Sequence, residues 1–338
     1  MPLSKSMKEK IIAGRYRILE MLNSVSYGCR TYLAEDIQSS NDRYCAVKNL
    51  DVEMITFQSE EGFSIEETRK LFAKEASTLY KLGEHPQIPR LLAHLEEDQE
   101  FYLVQEYIEG HSLDEEIKPG NKLQESQVVE ILDEILTILA FVHQHKVIHR
   151  NIRPSNIVRR DKDGKLMILL DLDEMEEMTR TSKRKSRVIT CIRSPDDCYI
   201  PREQNYNNFT TASDVYALGW TTIFALTGIH PDQFQLSIYP KKREDRWRDR
   251  VEVNPELADI IDRMIHPDLK HRYPSAVEAH QAIKEFINRS RPLVTKFSTA
   301  KILLSGLAAL FVLSGVSYYF WQHKLILPPN NQTEENNL

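Results

Sequence analysis

Glycine is scarce in this sequence, with 11 among 338 residues, and cysteine scarcer still, with four. Cys29, Cys45, Cys191 and Cys198 form no C-x-x-C pair and no metal-ligand spacing with the histidines. That argues against zinc and disulfides and for free thiols in a reducing cytosol. An excess of basic charge is missing too. Against 50 aspartates and glutamates stand 44 lysines and arginines, a net charge of −6, which is the wrong sign for general nucleic-acid binding. The start, MPLSKSMKEKIIAGRY, lacks the apolar stretch of a signal peptide. Neither internal repeats nor low-complexity tracts are visible.

What is there is ordinary globular composition, 28% charged and 41% hydrophobic. The length is too great for one small core and suits a two-lobed domain with an appendage. Tyr16 to Leu22, Thr31 to Glu35 and Arg43 to Leu50 read as three short strands, and Leu91 to Leu95 and Phe101 to Ile108 as two more. Ser64-Ile65-Glu66-Glu67 is a capping box that opens a helix continuing through Leu82. A second helix starts at Ser112 to Glu115. The apolar density of Val128 to Val142 predicts a helix buried on most sides. Pro255 to Ile265 and Pro274 to Ile287 read as closing helices.

The far end is different in kind. Ile302 to Trp321, ILLSGLAALFVLSGVSYYFW, is uncharged and would make about 30 Å of helix, one bilayer core. Tyr318, Tyr319 and Trp321 sit at its far end, where aromatic rings suit the interface. A buried globular helix is the competing reading, and it would show a polar stripe or a shorter run. Lys284, Arg289, Arg291, Lys296 and Lys301 precede the stretch and Lys324 follows it, so the positive-inside rule keeps the N-terminal part cytoplasmic. The expected organisation is a folded domain over 15–290, a basic linker over 291–301, a single-pass span over 302–321 and a short outer tail over 322–338.

Function is most legible between Val147 and Asp171, VIHRNIRPSNIVRRDKDGKLMILLD. His149, Arg150 and Asn151 come first, then Arg153 and Asn156, then an apolar run ending on Asp171. This spacing resembles the catalytic loop and metal-binding hairpin of protein kinases. Further marks fall in the same order: Cys45-Ala46-Val47-Lys48, Glu75 on the first helix, Gln105-Glu106-Tyr107-Ile108, Tyr199 to Gln204, Ser213-Asp214 and His271-Arg272. Together they identify residues 15–290 as similar to bacterial, eukaryotic-like serine/threonine protein kinases.

The resemblance implies an α+β, two-lobed protein-kinase fold: a small antiparallel β lobe with one helix over 15–110, and a larger helical lobe over 111–290. It implies ATP and Mg²⁺ as cofactors. Lys48 would hold the α- and β-phosphates and pair with Glu75. A strand lysine is ordinarily a solvated edge residue, and Glu75 as a plain surface glutamate is the competing reading. The backbone at Glu106 and Ile108 would bond adenine, with Gly28, Ala46 and Val158 also around the nucleotide and Gln105 guarding the back of the pocket. Asn156 and Asp171 would be metal ligands. Glu203 would pair with a buried Arg272, and Asp214 would hold the backbone of the catalytic loop.

Four departures bear on chemistry. Asn151 stands where the catalytic Asp is expected, and an amide takes up no proton near neutral pH; lost general-base help costs about 10²–10⁴-fold. Arg153 replaces a lysine, keeping the charge but not the shape. Only Gly28 survives of the glycines in the loop Asn23 to Gly28, and Leu172-Asp173 follows Asp171 where Phe-Gly is expected. The segment from Glu174 to Thr190 is acidic, then basic; it is either a solvated loop or a dock for an acidic or phosphorylated partner, and its own Thr179, Thr181, Ser182, Ser186 and Thr190 could be phosphorylated and pair with Arg150. Three readings follow: a membrane-anchored pseudokinase that binds Mg-ATP weakly and acts through a protein partner, a slow serine/threonine kinase with a protein substrate, or an interaction platform that binds no nucleotide.

Overall fold

The computed structural model of the protein describes residues 7–26, 29–39, 43–50, 65–118, 120–168, 176–177, 198–201, 203, 209–235 and 245–290. Its smaller lobe is a curled sheet of β1 (Ile11–Ile12), β2 (Tyr16–Ser26), β3 (Cys29–Asp36), β4 (Tyr44–Leu50), β5 (Leu91–Glu97) and β6 (Glu100–Glu106). The strands are antiparallel in the order β1-β2-β3-β4-β6-β5. β1 precedes the domain start expected at residue 15 and has no counterpart in the sequence reading. Its Ile12 is fully buried and pairs with Tyr16. Beside it Lys10 Nζ donates to the Tyr102 hydroxyl at 3.1 Å, and the Ala13 N–H donates to Glu97 at 3.2 Å, which closes the curl.

Alternation along these strands decides what faces the second lobe. Cys45 and Val47 on β4, and Tyr102 and Val104 on β6, fill one cluster with Ile12, Tyr16, Ile18, Tyr32 and Ala34. Their neighbours of opposite parity, Ala46, Lys48, Leu103 and Gln105, therefore face the other way. On that side lies helix α1 (Ile65–Leu82), whose Phe72, Ala76 and Leu79 pack with Phe101 and Leu103. The Phe72 and Phe101 rings are 4.9 Å apart. The inward cluster continues without a break through Ile88 and Leu113 into the larger lobe, reaching Ile135, Val215, Leu218 and Ile223. Cys45 and Cys198 are buried and in no disulfide, and burial pushes the Cys45 thiol up to about 12, the behaviour of an inert core residue.

β7 (Gly110–Ser112) and α2 (Leu113–Glu116) lead into the larger lobe, with Ser112 as the N-cap at the place its sequence indicates. A side chain at Gly110 would come within 2.1 Å of the Arg159 carbonyl, so glycine is what lets β7 lie against β9 (Ile157–Arg160). Then follow α3 (Glu125–Gln144), β8 (Val147–Ile148), a 3₁₀ turn at Pro154–Asn156, β10 (Leu166–Ile168) paired with β9, and β11 (Glu176–Glu177) paired with β8. Helix α4 (Thr211–Thr227) is buried at every position from Ala212 to Leu226, its polar Ser213, Asp214, Thr221 and Thr222 included. Its Gly219 admits the chain that follows α7 (Pro255–Met264), since a Cβ there would sit 2.6 Å from Ile265 Cγ2. Short helices α5 (Asp232–Gln235) and α6 (Asp245–Arg248) lie between them in sequence. The last helix, α8 (Ala276–Ser290), begins two residues beyond Pro274.

The chain divides into two units, Met1–Ile287 and Asn288–Leu338. Of the second, only the end of α8 is described. The expected linker, membrane span and tail lie outside the described residues, among which no helix is long and apolar enough to cross a membrane.

Candidate active site

The loop after β8 is organised by one carboxylate. Asp214, in the first turn of α4, is fully buried. Its Oδ2 accepts from the His149 N–H at 2.9 Å and its Oδ1 from the Arg150 N–H at 2.7 Å. These two bonds hold Arg150 at φ +68°, a conformation that costs a non-glycine residue about 1–3 kcal/mol. A third donor is His143 Nε2, 2.9 Å from Oδ2; the ionised carboxylate can only accept, so Nε2 carries the proton. Burial alone would raise the Asp214 pKa, but the His143 bond, the nearby imidazoles and the His149 N–H bring it below the ordinary aspartate value. His143 escaped the sequence reading. The available signal was a histidine inside the apolar stripe of α3, a place where a polar group must find a partner.

The rest of the loop is a local construction. The Asn156 N–H bonds the Arg153 carbonyl at 3.0 Å in the 3₁₀ turn. Asn156 Nδ2 then donates to the Asn151 carbonyl at 2.9 Å. That is the physical content of the five-residue step between the two asparagines. With Nδ2 committed, the Oδ1 of buried Asn156 is the end of the amide suited to a hard cation. The Asn151 N–H bonds His149 Nδ1 at 3.3 Å, and its side chain is largely buried. Arg153 is half-buried in extended backbone just before the turn. The Arg150 guanidinium lies 3.3 Å from the centre of the Phe209 ring.

On the small-lobe side Lys48 is buried and stands directly opposite Leu103, on the face that α1 covers. Glu75 is half-buried on α1, three residues after Phe72 and four before Leu79, so it belongs to the inward stripe and faces the same side as Lys48. Ala46 pairs with Gln105 across β4 and β6. Gln105 is buried, and its Nε2 has no acceptor among the described residues, a condition that costs about 1–3 kcal/mol. Glu106 ends β6, its carboxylate 3.2 Å from Arg90 Nε. Ile108 is buried, and its N–H has no backbone acceptor among the described residues. Val158, half-buried on β9, pairs with Met167 and Ser112. Gly28 and Asp171 lie outside the described residues, among which no cluster of three or more histidine, cysteine or acidic side chains could hold a metal.

The Glu203 and Arg272 pair forms as the sequence implies. Arg272 is buried and donates through Nη1 to Glu203 Oε1 and through Nη2 to Oε2 at 3.4 Å. It also bonds the His266 carbonyl at 2.8 Å and the Ala212 carbonyl at 3.2 Å, and lies over the Tyr216 ring. One cation thus ties the segment before α4, the first turn of α4 and the loop after α7.

Comparison with known proteins agrees with this geometry. A family model described as the protein kinase domain matches residues 27–285. Serine/threonine-protein kinase B of Synechocystis sp. is 34% identical over 275 residues, 80% of this chain and 46% of that protein. Serine/threonine-protein kinase PknA of Nostoc sp. is 34% identical over 281 residues, 82% of this chain and 48% of that protein. PrkC of Bacillus subtilis, also a serine/threonine-protein kinase, is 29% identical over 290 residues, 83% of this chain and 42% of its own. Among solved structures, the Mycobacterium tuberculosis PknI kinase domain superposes with a TM-score of 0.58 at 19% identity, over 82% of this chain and 98% of that one. The chain spans about half the length of these curated relatives.

Proposed function

The chain belongs to the protein kinase family, and from that premise we propose that it is a membrane-anchored, protein-kinase-like signalling protein whose phosphotransfer is impaired. The observation that carries this reading is Asn151, an amide at the proton-accepting position of a loop whose backbone is otherwise fully braced by Asp214 and Asn156. The described residues fit a nucleotide. Lys48 faces the cleft side of the sheet, Ala46 and Val158 would line the base, the backbone of Glu106 and Ile108 would meet its polar edge, and the Asn156 amide, with Asp171, would hold Mg²⁺. Bound Mg-ATP would supply the phosphoryl group and the cation that offsets its charge.

This chain's own residues would then orient more than they convert. Glu75 would fix Lys48, and Arg153 would supply positive charge near the acceptor. Asn151 can align a hydroxyl by hydrogen bonding yet cannot take its proton, a loss of about 10²–10⁴-fold. Partner contacts, with proteins and not nucleic acid, would be the output. The stretch 302–321 would anchor the domain, 15–290, on the cytoplasmic side through the linker 291–301, leaving 322–338 outside.

The slow serine/threonine kinase is the second reading, favoured by the intact Asn156 brace and by the names of the relatives. Radiolabelled autophosphorylation of the full chain separates the two. The pseudokinase reading expects no transfer above background from the wild type, even where Asn151→Asp restores it. Transfer by the wild type that Asp171→Ala abolishes would establish the active kinase instead. Recovery of a chain lacking 302–321 in the membrane fraction would remove the anchor.

A further inference from the structure

Helix α1 carries Glu75, and a carboxylate on a helix meets its target only if the helix is set at the right distance and rotation. The apolar stripe of α1, Phe72, Ala76, Leu79 and Leu82, is buried, but burial of apolar surface is non-directional. Directional bonds stand one turn nearer the start of the helix. Arg69 Nε donates to Glu96 Oε2 and Arg69 Nη2 to Glu96 Oε1, both at 2.7 Å, while Nη1 donates to Glu66 Oε2 at 2.8 Å. Glu96 lies on β5, opposite Phe101 of β6, and Phe101 is the residue whose ring meets Phe72. His94, two residues before Glu96 and so on the same face of β5, has its ring 6.1 Å from that of Phe72. The fork and the ring contacts are therefore neighbours, and Glu75 follows three residues beyond Phe72 on the inward side.

We propose that Arg69 and Glu96 are a positioning pair for the nucleotide site: their fork fixes the rotation of α1 on the sheet and so brings the Glu75 carboxylate to Lys48. This rests on the nucleotide reading and deepens it. A guanidinium and a carboxylate joined by two parallel bonds define an angle as well as a distance, which apolar packing does not. The pair is ionised, Arg69 holding the Glu96 carboxyl below its ordinary value. Both side chains are partly open to solvent, so the pair adds little to stability by itself, and its effect lies in the geometry of what it holds.

The test is a mutant cycle read by ligand binding. Mg-ATP is titrated into the full chain, with thermal stabilisation as the readout, for the wild type, Arg69→Met, Glu96→Gln, Glu75→Gln and their double variants. Arg69→Met and Glu96→Gln should each weaken Mg-ATP about two- to fivefold, the range of an exposed ion pair, and the two together no more than either alone. In the Glu75→Gln background Arg69→Met should change nothing further, because the carboxylate it positions is gone. A melting temperature that falls in Arg69→Met while Mg-ATP affinity holds makes the pair merely structural and overturns the proposal. A loss that persists undiminished in Glu75→Gln overturns it too, and in both outcomes the nucleotide reading stands. No stabilisation of the wild type by Mg-ATP overturns the nucleotide reading and this inference together. Arg69→Met and Glu96→Gln break the pair from opposite sides, so if one fails to fold the other decides.

Discussion

His143 and Asp214, 71 residues apart in sequence, meet in the core with Nε2 2.9 Å from Oδ2, and the same carboxylate receives two backbone N–H groups of the loop that carries Asn151. One buried charge therefore serves as the fixed point for the helix before the loop, the loop itself and helix α4.

The first prediction concerns that charge. Asp214→Asn should destabilise the domain by at least about 1.5–3 kcal/mol, because a hydrogen bond to a charged group is lost and an amide N–H₂ is turned against buried donors. The pH dependence has a definite sign. The Asp214 carboxyl is held below its ordinary value of 3.8, so its stabilisation is complete above that pH and lost as pH falls through the lowered value. Urea unfolding of wild type and Asp214→Asn should thus begin to draw together as pH falls past 3.8 and converge only below the lowered value. A constant gap down to the acid limit would show that the carboxylate charge is not what matters.

Arg272 gives the second. With the guanidinium gone, Glu203 remains as a mostly buried, uncompensated carboxylate, and the Ala212 and His266 carbonyls lose their donor. Arg272→Met should cost about 3–5 kcal/mol, and adding Glu203→Leu should return a good part of it, since removing both charges is far less harmful than orphaning one. Calorimetry of the two variants checks this; a double variant no more stable than the single one would count against the pair as the cause.

A third prediction follows from the Arg150 guanidinium standing over the Phe209 ring. A cation over an aromatic face contributes about 0.5–2 kcal/mol. Phe209→Leu and Arg150→Met should each destabilise, with a coupling of that size in a double-mutant cycle. The sequence alone suggested phosphorylated residues of 179–190 as partners for Arg150, and those lie outside the described residues. Additive effects of the two substitutions would mean that the stack is incidental.

Short-range chemistry was open to reading from the residues in order. The capping serine at 112 and the apolar density of α3 each depend on neighbours a few positions away. The same holds for the replacement of an acid by Asn151, which is visible in one letter. Gly28 and Asp171 remain where the sequence leaves them, as expectations from family resemblance.

Other features depended on contacts that no local pattern encodes. The order of residues sets His143 among apolar neighbours on α3, a signal the sequence reading passed over, and no local pattern tells that it finds a carboxylate from α4 while Gln105 finds no acceptor among the described residues. Strand β1 was invisible because two apolar residues make no period, and it is held by partners across the curled sheet. Which face of β4 carries Lys48 was settled only when Cys45 and Val47 were claimed by the opposite core. Sequence by itself determined the longer strands of the small lobe, the main helices it read, and the missing proton acceptor, since these are set residue by residue; tertiary structure decided which buried polar groups are answered, because the answer comes from chain tens of residues away.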